Sequence, residues 1–318
     1  MDSVVDIQHV SKRYGSFTAV DDLSLTIPRG AIYGLLGPNG AGKTTTIRMI
    51  MNIILPDDGK IALFGGEAPG QHLTPRIGYL PEERGLYKKM HVDDLLVFLA
   101  QIKGLDRTTA RRRAGEWLDR LELAGWARKK VDDLSKGMQQ KVQFIATMLH
   151  EPEFLILDEP FSGLDPVNSQ IMKDIVVDLA RGETTILFST HIMEQAERLC
   201  DSVCIIARGR IVVNGRLADV KREHGGRNVI VAVEQGGSVV DRVLNDRALV
   251  ANTNNSGNYA EIELADGADP QDLLKGLIQA GARVTKFELA EPTLNQIFID
   301  KVGGQAAPGR PEEVHAHA

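Results

Sequence analysis

Gly37-Pro38-Asn39-Gly40-Ala41-Gly42-Lys43-Thr44 is the stretch from which the rest of the chain is read. It follows the apolar run Ala31–Leu36 and precedes a helical pattern over Thr45–Asn52, giving the order strand, Gly-rich turn, helix start. Such a turn aims several backbone N–H groups and the positive end of a helix at one point, which is a site for phosphate. Gly37, Gly40 and Gly42 let the backbone approach phosphate oxygens without an intervening Cβ. Lys43 supplies a point charge for the β- and γ-phosphates, and Thr44 a hydroxyl ligand for Mg²⁺. The segment implies binding of a nucleoside triphosphate.

The remaining composition narrows the class. At 318 residues the expectation is two domains. Apolar and charged fractions of 43% and 25% are those of a soluble globular protein. A net charge of −6 gives no overall sign of nucleic-acid binding. The local run Arg111-Arg112-Arg113 reads as a solvated helix face. The two cysteines, Cys200 and Cys204, read as buried reduced thiols. The N-terminal residues lack a secretory pattern, and no apolar stretch approaches the roughly twenty residues needed to cross a bilayer. The expectation is a cytosolic chain that reaches a membrane only through a partner.

Alternating patterns over Val4–Tyr14 and Thr18–Ile27 around Gly15-Ser16 predict an antiparallel hairpin, with a further strand over Ile61–Phe64. Helical texture fills Val92–His150, with apolar faces Leu95, Leu96, Phe98, Leu99, Ile102 and Trp117, Leu118, Leu121, Leu123 read as core stripes. Continuous apolar runs over Phe154–Leu157, Thr185–Phe188 and Val203–Ala207 fit a buried parallel sheet, with helices over Ser169–Ala180 and Ile192–Cys200 between them. Residues 216–227 read as a polar linker. Strands over Val229–Val233, Ala248–Asn252, Tyr259–Leu264 and Arg283–Leu289, with helices over Val239–Leu244 and Pro270–Ala280, predict a small α+β unit of ferredoxin-like type. Residues 303–318 read as a disordered tail, His315 and His317 included.

A second motif, Phe154-Leu155-Ile156-Leu157-Asp158-Glu159, is a hydrophobic strand ending in two acids. This places Asp158 beside the phosphate loop to hold Mg²⁺, and makes Glu159 the candidate general base for an attacking water. Two further segments are Leu134-Ser135-Lys136-Gly137-Met138-Gln139-Gln140-Lys141 and Ser162-Gly163-Leu164-Asp165, and His191 follows the strand ending Ser189-Thr190. In this order the motifs resemble the ATP-binding cassette ATPases, specifically the nucleotide-binding subunits of ABC exporters, over about residues 4–215.

The resemblance implies an α/β P-loop NTPase cassette over 1–215, with a RecA-like core, an antiparallel β subdomain and a helical subdomain over about 86–150. It assigns ATP contacts to Gly37, Pro38, Asn39, Gly40, Ala41, Gly42, Lys43, Thr44 and Thr45. Tyr14 takes the place of the aromatic that stacks on adenine. Ser135, Lys136 and Gly137 form the signature loop, which in the family closes on ATP held by a second cassette. Asp165 takes the place of the residue that communicates across that interface. Lys43, Glu159 and His191 become the catalytic set, His191 as a switch on the γ-phosphate. The implied cofactors are ATP and Mg²⁺. The implied partners are a transmembrane permease and a second cassette, read as a homodimer lying on the inner membrane face, with no nucleic acid.

Two departures stand out. Lys136 and Met138 replace the family's usual Gly and Gln, while Ser135 and Gly137 remain. Glu82, in Gly78-Tyr79-Leu80-Pro81-Glu82, stands where the family commonly has a glutamine that senses Mg²⁺; a carboxylate there adds charge beside the triphosphate. Over 228–302, Glu291-Pro292-Thr293-Leu294-Asn295-Gln296-Ile297-Phe298 resembles the closing motif of an accessory domain on bacterial drug- and sodium-exporter ATPases. The alternative is a soluble ABC ATPase acting on ribosomes or DNA. Those relatives carry paired cassettes or long coiled coils, and this chain shows one cassette and no sustained heptads. A P-loop phosphotransferase is disfavoured by the signature segment and His191.

Overall fold

The computed structural model describes residues 3–83, 85–225, 228–235, 242–255 and 259–303. β1 (Ser3–Tyr14) and β2 (Phe17–Pro28) form the expected hairpin, with Tyr14 opposite Phe17. Their alternation buries Val5, Ile7, Leu23, Leu25 and Ile27. β3 (Ile32–Leu36), buried at every residue, runs into the Gly-rich loop and α1 (Lys43–Ile50). β4 (Asp58–Leu63) returns along β1, completing a three-stranded antiparallel sheet of order β2-β1-β4.

β5 (Ile77–Leu80) leads into the helical segment, α2 (Val92–Ile102), α3 (Arg107–Arg120) and α4 (Lys136–Met148). Asp106 caps α3 by accepting from the Thr108 and Thr109 N–H groups at 2.9 and 3.0 Å. Ser135 caps α4 through the Met138 N–H at 3.3 Å, and caps of this kind stabilise a helix by about 1 kcal/mol. β6 (Phe154–Asp158), α5 (Pro166–Arg181), β7 (Thr185–Thr190), α6 (Met193–Leu199), β8 (Ser202–Ala207) and β9 (Arg210–Arg216) follow. Six strands assemble in the order β5-β6-β7-β3-β8-β9, parallel through β8 and antiparallel at β9.

Register aligns the ends that matter. Leu36 lies opposite Thr190 and Asp158 opposite Ser189, so β3, β7 and β6 finish in one row. The loops that follow begin at Gly37, His191 and Glu159, in the crevice outside the carboxyl ends of a parallel sheet where ligands bind.

Several details depart from the sequence reading. β5 and β9 were not anticipated as strands: each is an edge, and edges need only one apolar face. Phe98 and Ile102 are 41% and 61% exposed, so they leave the core stripe; Phe98 instead meets Tyr87 edge-to-face at 5.9 Å. Arg113 is no solvated side chain, because its guanidinium donates to the Leu149 carbonyl at 2.8 Å and pairs with Glu151 at 2.6 Å. The 216–227 stretch is not a plain linker: α7 (Leu217–His224) occupies most of it, with Val220 buried. α5 begins at Pro166 rather than Ser169, because proline's fixed φ suits the first helical turn and Asp165 caps it. Cys200 and Cys204 are both buried and free. Among the described residues no helix is long and apolar enough to cross a membrane.

The chain divides into two compact units, Met1–Leu217 and Ala218–Ala318. In the second, β10 (Asn228–Gln235), β11 (Val250–Asn255), β12 (Ala260–Leu264) and β13 (Arg283–Ala290) form an antiparallel sheet of order β11-β12-β10-β13. With α8 (Pro270–Gln279) between β12 and β13, and residues 242–244 helical between β10 and β11, this is the ferredoxin-like order. Val229, Val231, Ile262, Leu264, Leu273 and Leu277 make its core. α9 (Leu294–Gly303) ends the described chain. The tail read over 303–318, with His315 and His317, lies outside the described residues from 304 onward, as does the start of the Val239–Leu244 helix.

Candidate functional site

The phosphate loop is shaped by contacts that leave no room for side chains. Gly37 has φ +149°, and a Cβ there would lie 2.1 Å from the Ile206 carbonyl oxygen. Gly42 has φ +111°, and its Cβ would lie 2.5 Å from the Ala19 oxygen. Both the angle and the space demand glycine. The β8–β9 turn braces the loop from outside: the Gly209 N–H donates to the Ala41 oxygen at 3.0 Å, and the Gly209 oxygen accepts from the Asp21 N–H at 2.9 Å. Lys43, only 6% exposed, folds back to donate to the Gly37 and Pro38 oxygens at 2.7 and 3.2 Å. Burial pulls its ammonium below the usual lysine range, and the charges of Glu159, Asp158 and Glu82 oppose that pull.

A cleft of about 300 Å³ opens over the loop. It is lined by Asn39, Gly40, Ala41, Gly42, Lys43, Thr44 and Thr45, together with Tyr14, Glu82, Asp158 and Glu159. Gly37 and Pro38 are not on this lining; they shape the loop and receive the Lys43 ammonium. Phe17 and Ala19 also line the cleft, and neither was singled out from sequence. The signal for Phe17 was present, since a short hairpin must place it across from Tyr14.

The Thr44 hydroxyl donates to Asp158 Oδ2 at 3.3 Å. Asp158 is 1% exposed; burial raises its carboxyl above the ordinary range, and the charge of Glu82 pushes the same way. Glu159 has φ +49°, a strained backbone for a non-glycine residue. That turn directs its side chain to the end of β7, where Oε2 accepts from the Thr190 hydroxyl at 3.0 Å. Oε1 accepts from the His191 backbone N–H at 2.8 Å and lies 2.6 Å from His191 Nδ1.

Thr44, Asp158 and Glu82 offer only oxygen donors, which is the chemistry a hard cation takes. Among the described residues no group of three or more His, Cys, Asp or Glu side chains forms a cage. A threonine hydroxyl bonded to a carboxylate whose ionisation is disfavoured fits Mg²⁺, which keeps waters and binds through few carboxylates plus substrate phosphates.

The structure does not bring every sequence-assigned residue to this cleft. Ser135, Lys136, Gly137, Asp165 and His191 do not line it. Gly137 packs on the turn before Asp165, since a Cβ on it would lie 3.5 Å from Leu164 Cδ2. Ser135 and Lys136 are exposed at the N-terminus of α4. Asp165 is exposed and caps α5, accepting from the Asn168 N–H at 3.0 Å; that bond and one from the Asn168 side chain hold its carboxyl below the usual range.

Residues 20–162 match the ABC transporter family, and residues 215–302 match the C-terminal domain of the DrrA1-3-like ATP-binding proteins. The uncharacterized ABC transporter ATP-binding protein YhaQ of Bacillus subtilis is 44% identical over 300 residues, which cover 94% of this chain and 99% of that protein. The daunorubicin resistance ATP-binding protein DrrA3 of Streptomyces coeruleorubidus is 33% identical over 309 residues, covering 95% and 96%. A solved ATP-binding subunit of an ABC transporter superposes with a TM-score of 0.65 at 32% identity, over 70% of this chain and 93% of its own. These relatives match along nearly their whole length, and the chain belongs to the ATP-binding proteins of ABC transporters, ATPases whose hydrolysis is coupled to transport.

Proposed function

We propose that this chain is the motor of an exporter: ATP draws two cassettes together, hydrolysis releases them, and separate permease subunits in the membrane convert the cycle into outward movement of a substrate. The observation that carries the reading is Glu159, buried at the cleft and held by Thr190 and His191 beside the phosphate loop. In this reading ATP lies with its phosphates over Asn39–Thr45 and its base against Tyr14. The Lys43 ammonium exchanges the Gly37 and Pro38 carbonyls for phosphate oxygens. Glu159 takes a proton from the attacking water, and the His191 contact fixes the carboxylate's direction. Thr44, Asp158 and Glu82 would hold Mg²⁺ there, and the ion would supply positive charge against the triphosphate.

Ser135, Lys136, Gly137 and Asp165 stand apart from this cleft, and that arrangement supports their use on the ATP of a second cassette. The N-terminus of α4 with its Ser135 cap is then an anion-binding end that closes on a γ-phosphate. A contact made only in the closed pair is the differential interaction that lets ATP favour closure. Likeness to a daunorubicin resistance ATP-binding protein along nearly its whole length, accessory domain included, supports the reading as an exporter. Residues 228–302 act in this scheme as a regulatory or dimer-supporting unit.

Affinity purification from detergent-solubilised membranes with ATP and vanadate tests the reading. A polytopic membrane protein should co-purify; ribosomes or DNA in its place would overturn it.

A further inference from the structure

Two of the three glutamines of α4 are buried. Gln140 and Gln143 are 2% and 6% exposed, among the buried Val142, Phe144, Ile145 and Met148. Three residues apart, they share one side of the helix. Each amide reaches out to a loop. Gln140 Nε2 donates to the Pro160 carbonyl at 3.0 Å, and Gln143 Nε2 donates to the Glu83 carbonyl at 3.3 Å. Pro160 directly follows Glu159, and Glu83 directly follows Glu82. One helix therefore grips both loops that carry acids into the cleft.

Stability alone does not call for these amides. Gln143 Oε1 is buried with no hydrogen-bond partner, a cost that an apolar side chain of the same length avoids. The loop after Glu159 has its own reason to need an outside donor. Proline has no N–H, so at residue 160 the main chain offers only an acceptor. With Glu159 at φ +49°, the loop holds a strained conformation that must be over-determined by its surroundings. The Glu159 N–H bond to the Ser189 oxygen at 2.9 Å fixes one side of it, and Gln140 fixes the other.

We propose that Gln140 and Gln143 are positioning residues for ATP hydrolysis, and that α4 is a strut setting the separation of the Glu159 and Glu82 loops. The proposal rests on Glu159 being the general base, as argued above. Neither glutamine touches substrate; each acts through the backbone of the residue after an acid. Ser135 caps the N-terminal end of α4, so a displacement at that N-terminus is passed along a rigid helix to both loops.

Steady-state ATPase assays of the purified full chain, with Mg²⁺ varied, test this. Gln140→Leu keeps the volume and removes the donor. Its kcat should fall about ten-fold, with KM for ATP within about two-fold of wild type, because binding groups are untouched. Gln143→Met should shift the Mg²⁺ concentration for half-maximal rate by about three-fold through the Glu82 loop. Ile145→Val, a packing change on the same helix, should leave both readouts unchanged. Should Gln140→Leu not fold, Gln140→Asn is read in its place, since it shortens the reach while retaining the amide. A folded Gln140 variant with wild-type kcat overturns the strut, as does an equal fall in Ile145→Val. A wild-type chain without ATPase activity overturns the reading of function and the strut with it, whereas an active wild type beside an equally active Gln140 variant overturns the strut alone.

Discussion

His191 meets Glu159 twice: its backbone N–H donates to Oε1 at 2.8 Å, and its Nδ1 lies 2.6 Å from the same oxygen. The two residues open the loops after β7 and β6, whose ends are set level by the sheet register. Orientation of the carboxylate is therefore built into the fold. Glu159→Gln keeps the shape and removes the base. We expect ATP binding to persist and kcat to fall by at least about 100-fold, with a cassette pair accumulating by size-exclusion chromatography in ATP. A rate near wild type would remove Glu159 from the role.

His191→Ala leaves the backbone donor and removes the imidazole. Loss of one charge-assisted bond to a buried carboxylate should lower kcat by about 10- to 100-fold with a smaller change in KM. The effect should be nearly absent on the Glu159→Gln background, because the partner is already gone. Additive losses in that double variant would show that the two residues act separately.

Asp158 is charged in a place that disfavours charge, since burial and Glu82 both raise its carboxyl. A carboxyl whose folded pKa lies above its unfolded value costs stability once pH has risen through the folded pKa. Asp158→Asn should therefore melt no lower than wild type without ligand at neutral pH, yet lose most of the thermal shift given by Mg²⁺ and ATP together. Glu82→Ala should raise the Mg²⁺ concentration needed for hydrolysis. Scanning calorimetry with and without Mg²⁺, and a metal titration of the rate, check the two.

Tyr14 and Phe17 face each other at the hairpin tip, 50% and 60% exposed, and both line the cleft. A base stacked on an aromatic ring contributes about 1–3 kcal/mol. Tyr14→Ala should raise KM for ATP by about ten-fold with kcat unchanged, and Phe17→Ala by less. The reverse ranking would make Phe17 the stacking surface.

His150 supplies a pH prediction away from the site. It is buried, and its imidazole is pulled down to about 4, first by desolvation and then by the nearby Lys103 charge. The unfolded chain then binds the proton more readily than the folded one, so stability is whole above the unfolded value and falls as pH drops towards the folded one. Across that window the loss should approach about 3 kcal/mol. Urea unfolding at pH 7 and pH 4.5 should show a smaller drop for His150→Gln than for wild type.

The sequence displayed the parts of this molecule that are continuous and apolar. β3, β6, β7 and β8 are buried at every position and read directly as runs. β5 was hidden because four residues containing Gly78 carry no periodic signal; its strand character comes from pairing with β6. β9 was hidden by Arg210, Asn214 and Arg216 on its outer face. At the site, residue types were legible and relations were not. Nothing in Asp158-Glu159 announces a left-handed backbone at the second acid, and nothing in the signature segment shows that Gln140 holds Pro160. These depend on loops far apart in the chain that the sheet brings level.

The brace on the phosphate loop bears on how the protein is made. Gly37 and Gly42 fit against Ile206 and Ala19, and Ala41 is held by Gly209. β3 itself sits between β7 and β8, which arrive much later in the chain. A nascent polypeptide halted before Arg208 would contain the whole Gly-rich motif and yet lack the turn that clasps it. The clasp on the loop thus depends on residues made close to the end of the first unit, long after the motif itself.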